Sequence, residues 1–287
     1  MSLINQIRNT VSNWFRTTVS FVRDSVDHVI ESLHTTDAFY YVLTELNWPP
    51  PMREFSVSRV EFMERIVDDY KKGGHEAVAE SVEYELVSWY SESRIEQLIQ
   101  KWGHQGWLTQ RLNLLVDGCH AHLDGKYYLS ISALLPQIEG IIIQNFRILG
   151  YIKQKKIKDH LYSILHPAII VSHRNEAIRR FVENVLFAKF EYGFPVESIL
   201  SRNAITHGLD LDYDSRANSL RTILLCDAVI RLFTFESSSA DTYFHFNGCI
   251  NVAGTDEERI FFATMQEAMS KAKLPCEKCL GNEDSRV

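Results

Sequence analysis

The stretch Leu134-Leu135-Pro136-Gln137-Ile138-Glu139-Gly140-Ile141-Ile142-Ile143-Gln144-Asn145-Phe146 decides the fold class. A proline near its start, an apolar run around a single carboxylate and too few apolar residues to span a bilayer read as a buried helix. Residues Arg216 to Phe235 form a second, strongly apolar helix. Helices that are apolar all round belong at the centre of a core, so the expected class is all-α.

Upstream, apolar residues at Ile4, Ile7, Val11, Trp14, Val19, Val22, Val26, Val29 and Leu33 recur in steps of three and four. They predict one amphipathic helix over 1–34, docking on the chain's own core or on a partner helix. Its polar face is Ser, Thr and Asn rather than Lys, which disfavours a membrane-surface helix. Trp48-Pro49-Pro50-Pro51 breaks the chain. Helices are expected over 57–72, stopped by Gly73-Gly74, then over 75–90 and 93–123, interrupted near Gly103 and Gly106. From Arg53 to Glu96 there are 11 acids and 6 bases. Residues 35–125 therefore read as an acidic helical domain.

Downstream, the charge changes sign. Between Arg147 and Arg180 there are eight bases, Arg147, Lys153, Lys155, Lys156, Lys158, Arg174, Arg179 and Arg180, against Asp159 and Glu176. A helix is expected over 175–190. Another is expected over 195–207, with Pro195 suited to its first position and Gly208 to the residue after its last. Ser237-Ser238-Ser239 reads as a hinge, Tyr243 to Val252 as a short strand pair and Thr255 to Lys273 as a helix. The resulting partition is 1–34, 35–125, 126–236 and a C-terminal appendage over 237–287.

The 287 residues are 45% apolar and 23% charged, which is ordinary globular usage. The net charge of −7, taken over the whole chain, disfavours nucleic acid. Position changes that inference: the segment 147–180 carries +6 and the rest carries −13. This still argues against indiscriminate coating of nucleic acid, but not against a local site. Five sparsely spaced cysteines fit a reducing compartment better than a disulfide scaffold. No membrane helix and no secretory leader is expected, so the expected location is cytoplasmic. Gly-rich phosphate loops, His-Glu-x-x-His and nucleophile elbows do not occur.

Chemistry points to Ser201-Arg202-Asn203-Ala204-Ile205-Thr206-His207-Gly208. Spacing alone carries little weight: with 18 Arg and 11 His, Arg–His pairs five to seven apart are expected about twice, and two occur, Arg202–His207 and Arg23–His28. The simplest reading of the first is a helix-terminal His capping carbonyls beside a surface Arg. The tail carries Cys276-x-x-Cys279, half of a zinc site, which His245 and Cys249 would complete; the alternative is free thiols.

The motif resembles that of the HEPN superfamily: Arg, four to six residues, then His, often with a polar residue after the Arg, here Asn203. The resemblance extends to the Glu139-bearing stretch and to the apolar helix over 217–233, so it covers about residues 126–236. It implies a helical bundle and a metal-independent endoribonuclease of bacterial toxin or antiphage type. In that chemistry His207 is general base or acid, Arg202 binds the phosphate, and Asn203 and Glu139 orient. No cofactor is required for catalysis. Lys153, Lys155, Lys156, Lys158, Arg174, Arg179 and Arg180 would attract RNA, tRNA among the candidates. Positions five apart on a helix point about 140° apart, so Arg202 and His207 converge only by distortion or in a cleft between helices. The resemblance implies the latter, built by a homodimer, and a regulatory or antitoxin partner on the acidic segment. Glu139 either pairs with Arg202 or reaches solvent. The alternative implied by the same resemblance is an inactive bundle that binds RNA, nucleotide or protein as a sensor or scaffold.

Overall fold

Arg216–Leu232 forms helix α10, and fifteen of its seventeen residues are buried. In the computed structural model, which describes residues 35–151, 153–165, 172–247, 249, 251–253, 259–262, 265–271 and 273–280, this helix is the central element. The amphipathic helix expected over 1–34 lies outside the described residues. Ser215 caps α10, its hydroxyl accepting from the Asn218 N–H at 3.0 Å. The buried polar residues of α10 are bonded: Asp227 accepts from Trp102 Nε1 at 3.2 Å, and Arg221 donates to Glu83 at 3.2 Å.

Around it stand α3 (Val60–Trp89), α4 (Glu92–Gly103), α5 (Thr109–Leu123) and α6 (Tyr127–Asn145), preceded by α1 (35–45) and α2 (Arg53–Ser58). The breaks read at Gly103 and Gly106 fall between α4 and α5, joined by a single 3-10 turn at Gly106–Leu108. Gly73-Gly74 was expected to end a helix. The break is there: Gly74, at φ 66° and ψ −158°, leaves the helical region, and α3 is two helical runs joined by a kink at that residue. Helix α6 starts at Tyr127, so Pro136 sits mid-helix, on its exposed side. Gly140 of α6 makes room for Arg111 of α5: a Cβ there would meet Arg111 Nη1 at 2.2 Å. Arg111 instead donates to Gln144 and Gln137, both at 2.9 Å.

Buried apolar residues from Phe39 to Phe261 form one cluster. The boundary expected at residue 125 is thus a turn, with Gly125 at φ 73°, within a shared core. Beyond α6 come α7 (Gln154–Ile164) and α8 (Ser172–Phe181), which runs on into a π-helical turn at Val182–Leu186. The helix expected over 195–207 shortens to α9 (Arg202–Thr206), and residues 188–201 are irregular. The reason is competition for hydrogen bonds from carbonyls thirteen residues upstream. Ser198 Oγ donates to the Val185 carbonyl at 2.8 Å, and Ser201 Oγ to the Ala188 carbonyl at 3.4 Å and accepts from the Ala204 N–H.

The C-terminal part corrects the all-α expectation: the protein is mostly helical with a small sheet. Strands β1 (Phe235–Ser238), β2 (Tyr243–Phe246), β3 (Arg259–Phe262) and β4 (Leu274–Pro275) are ordered β3-β1-β2-β4. The β1–β2 and β1–β3 pairs are antiparallel, with Phe235 opposite Phe246 and Phe262, and β2–β4 is parallel. Ser237 and Ser238, read as a hinge, lie buried in central strand β1, their hydroxyls donating to the Tyr243 and Ala253 carbonyls at 2.6 Å each. The strand pair expected within 243–252 is β2 paired with β1 instead. The helix expected over 255–273 gives way to β3 and the short α11 (Met265–Ser270); α12 (Glu277–Leu280) follows β4. Among the described residues no helix is long and apolar enough to cross a membrane.

Candidate functional site

Arg202, Asn203 and Glu139 meet where α9 packs on α6. Ser201 fixes the start of α9, and the chain leaves through Gly208 at φ 70°, with Gly208 N–H on the Ile205 carbonyl at 3.0 Å and Leu209 N–H on Ala204 at 2.8 Å. This left-handed exit satisfies the carbonyls at the helix end. Gly208 thus stands just past the helix end, as expected, although the helix before it is short.

Arg202 opens α9 and turns towards α6. Its Nη2 donates to Glu139 Oε2 at 3.0 Å and its Nη1 to Asn203 Oδ1 at 3.0 Å. Of the two alternatives for Glu139, the structure has the ion pair. Both side chains are mostly shielded, at 25% exposure for Arg202 and 14% for Glu139. Burial pushes the Glu139 carboxyl above the usual carboxylate range, against the opposing pull of the Arg202 charge. Arg202 Nε is buried without a hydrogen-bond partner among the described residues.

His207 stands at the other end of the same short helix, where its backbone N–H caps the Asn203 carbonyl at 3.0 Å. Its ring is exposed and lies 6.0 Å, centroid to centroid, from Phe190, which in turn lies 5.5 Å from Tyr192. Tyr192 and Phe194 are each 68% exposed. Sequence reading passed over these rings; the signal was the dense aromatic run Phe190-x-Tyr192-x-Phe194 just before the motif.

The basic segment divides in two. Lys153, Lys155 and Lys156 are exposed and Lys158 half-buried, on or just before α7, whose Ile157 and Leu161 face the core. Like α9, α7 packs on α6. Arg179 and Arg180, by contrast, are engaged by carboxylates. Arg179 donates to Glu176 at 2.6 and 2.8 Å and to Glu183 at 3.2 Å; Arg180 donates to Glu176 at 2.9 Å and Glu45 at 3.1 Å. Hydrogen bonds from Arg179 hold the Glu176 carboxyl below its usual range. Arg174 is half-buried on α8. The open cationic surface is therefore the lysine row of α7, smaller than the net charge of the segment suggested.

Other candidates sort by burial. His122 is enclosed, its Nδ1 2.8 Å from Ser219 Oγ, which donates to Ser130 Oγ at 2.8 Å. Burial, helped by Arg216, lowers its pKa to about 4, so it is neutral. His120 lies 3.1 Å from Glu96 at the surface. In the C-terminal unit, His245, Cys249 and Cys276 come together, their potential ligand atoms all within 4.8 Å of one another. The Cys279 side chain lies outside the described residues. These groups could hold a metal.

Comparison with protein-family models, curated proteins and solved structures gave no match.

Proposed function

We propose that the protein is a HEPN-like, metal-independent endoribonuclease of toxin or antiphage type. The observation that carries the proposal is the α6–α9 cluster: a shielded Arg202 held by Glu139 and Asn203, with an exposed His207 capping the C-terminal end of the same short helix. In the proposed reaction the substrate's 2′-hydroxyl oxygen attacks the adjacent phosphorus, its proton passing to a general base. The P–O5′ bond breaks and the 5′-oxygen takes a proton from a general acid. The products are a 2′,3′-cyclic phosphate and a 5′-hydroxyl. His207 serves as one of the two proton-transfer groups. Arg202 supplies permanent positive charge to the phosphate, and Glu139 and Asn203 act as positioning residues that fix its fork.

The surroundings suit RNA. Tyr192 and Phe194 offer exposed rings for unpaired bases, and Phe190 links Tyr192 to His207. The α7 lysines supply a small electrostatic footprint. A homodimer packing two α9 helices together would bring a second Arg202 and His207 to the cleft. The acidic helices of the first half suit a basic regulatory or antitoxin partner. Location in the cytoplasm follows from this role. Catalysis in this reading uses no metal, and the His–Cys cluster of the C-terminal unit belongs to structure rather than to the reaction.

The engagement of Arg202 by Glu139 also favours a second reading, a bundle that binds RNA or protein without cleaving it. Incubating the purified chain with a tRNA mixture in EDTA separates the two. Cleavage by the wild type that His207→Ala abolishes supports the nuclease; RNA that is bound but stays intact under activating conditions supports the binding module.

A further inference from the structure

Among the described residues, the C-terminal unit has a buried apolar cluster of four, Phe235, Phe244, Phe262 and Ala268. One edge of its sheet is tied to the helical body, since Phe261 of β3 belongs to the main core. The opposite edge is thin: β4 is two residues long and pairs with β2 at Tyr243–Leu274 and Phe244–Pro275. Units with so little burial are usually stapled by disulfides or a metal.

At that edge the side chains of His245, Cys249 and Cys276 converge, within 4.8 Å of one another at their ligand atoms. They come from β2, from the turn after it and from the junction between β4 and α12. Cys276 also starts α12, its carbonyl accepting from the Leu280 N–H at 2.8 Å. One imidazole and two thiols form the donor set of structural zinc. A second, independent feature is the partner of the imidazole. His245 Nε2 lies 3.0 Å from Asp241 Oδ2. Asp241 is itself fixed by the N–H groups of Tyr243 at 2.9 Å and Ala253 at 2.8 Å. Metal-bound histidines characteristically donate their second ring nitrogen to such an anchored carboxylate, which sets the tautomer and the ring orientation.

We infer that His245, through Nδ1, together with Cys249 and Cys276 holds a structural zinc ion that clamps β2 to the start of α12. The Cys-x-x-Cys spacing nominates Cys279 as the fourth ligand. Zinc–sulfur bonds of about 2.3 Å place tetrahedral sulfurs about 3.7 Å apart, so the cluster closes on the ion by modest side-chain rotation. Asp241 is a positioning residue and does not touch the metal. The ion is remote in role from RNA cleavage, and its presence is independent of that reading.

The test uses the full chain, purified without a histidine tag from zinc-supplemented culture. Plasma mass spectrometry is expected to find about one zinc per chain, and reconstitution with cobalt to give thiolate-to-cobalt charge-transfer absorption. Cys249→Ser and Cys276→Ser should each lose the metal. Asp241→Asn retains every ligand, so it serves where those variants fail to fold; it is expected to bind zinc 10- to 100-fold more weakly in competition with a chelator. Stripping zinc should lower the melting temperature, and zinc but not magnesium should restore it. A chain purified without zinc whose melting ignores added zinc overturns the site, as does a Cys249–Cys276 disulfide in the freshly isolated protein. Unchanged zinc affinity in Asp241→Asn overturns the role given to that carboxylate.

Discussion

The helical body and the C-terminal unit solve the problem of burial differently. The body wraps one central helix, α10, in a core that runs from Phe39 to Phe261. Among the described residues, the C-terminal unit packs four strands and two short helices on a buried cluster of four residues. It relies on polar pins: Ser237 and Ser238 on carbonyls, Asp241 on two N–H groups, and Lys273 Nζ on the Ser238 carbonyl at 2.8 Å and on the Asp241 carbonyl. Where apolar area is abundant, polar groups can be committed to a site such as Arg202–Glu139. Where it is scarce, they are needed to hold the fold.

The largest expected effect breaks the comparison at the body. Leu224→Ala on α10 should cost about 2–5 kcal/mol, the usual penalty for a cavity in a filled core. Denaturant unfolding should show that loss in the whole helical signal. Phe244→Ala should instead remove hydrogen-exchange protection from β1 and β2 while α10 stays protected. Equal loss in both regions would mean that they share one cooperative core.

A smaller effect concerns pH. The folded pKa of His122 is about 4, below the ordinary histidine value, so the unfolded chain takes up a proton before the folded one does. The stability this contributes is complete above about pH 6.5 and falls as pH drops towards 4. Denaturant midpoints should therefore decline between pH 7 and pH 5, and His122→Asn, which retains a group at the Nδ1 position, should flatten that decline. An unaltered slope in the variant would place the acid sensitivity elsewhere.

The smallest effect on stability, and an informative one for function, comes from Glu176. Its pairs with Arg179 and Arg180 are partly exposed, so Glu176→Gln should cost no more than about 1 kcal/mol. It should also loosen two guanidinium groups, leaving Arg179 paired with Glu183 and Arg180 with Glu45. RNA affinity should rise and the salt dependence steepen by roughly one phosphate contact or more, as counterion release requires. An unchanged salt slope would mean that α8 does not face the RNA.

What the sequence made legible follows the range of the forces involved. α10 was readable because its apolar residues are contiguous, and the α4–α5 break because Gly103 and Gly106 act locally. The convergence of His245, Cys249 and Cys276 was foreshadowed by His-x3-Cys and Cys-x2-Cys spacing. The truncation of α9 was hidden because Ser198 and Ser201 spend their hydroxyls on carbonyls thirteen residues upstream. Strand β1 was hidden because serines that read as a hinge find partners up to fifteen residues away. The partial neutralisation of the basic segment depends on Glu45, 135 residues from Arg180. Charge counting along the chain has no access to that pairing.

The most direct test of the proposed nuclease compares an RNA oligonucleotide with its copy carrying 2′-deoxy sugars, both in EDTA, with wild type and with His207→Ala. A mechanism through the 2′-hydroxyl predicts cleavage of the ribose strand alone, ends bearing a 2′,3′-cyclic phosphate, and a loss of about 10²–10⁴-fold in the His207→Ala rate at unchanged stability. Cleavage of the deoxy strand, or a ribose strand cut equally well without His207, would contradict it.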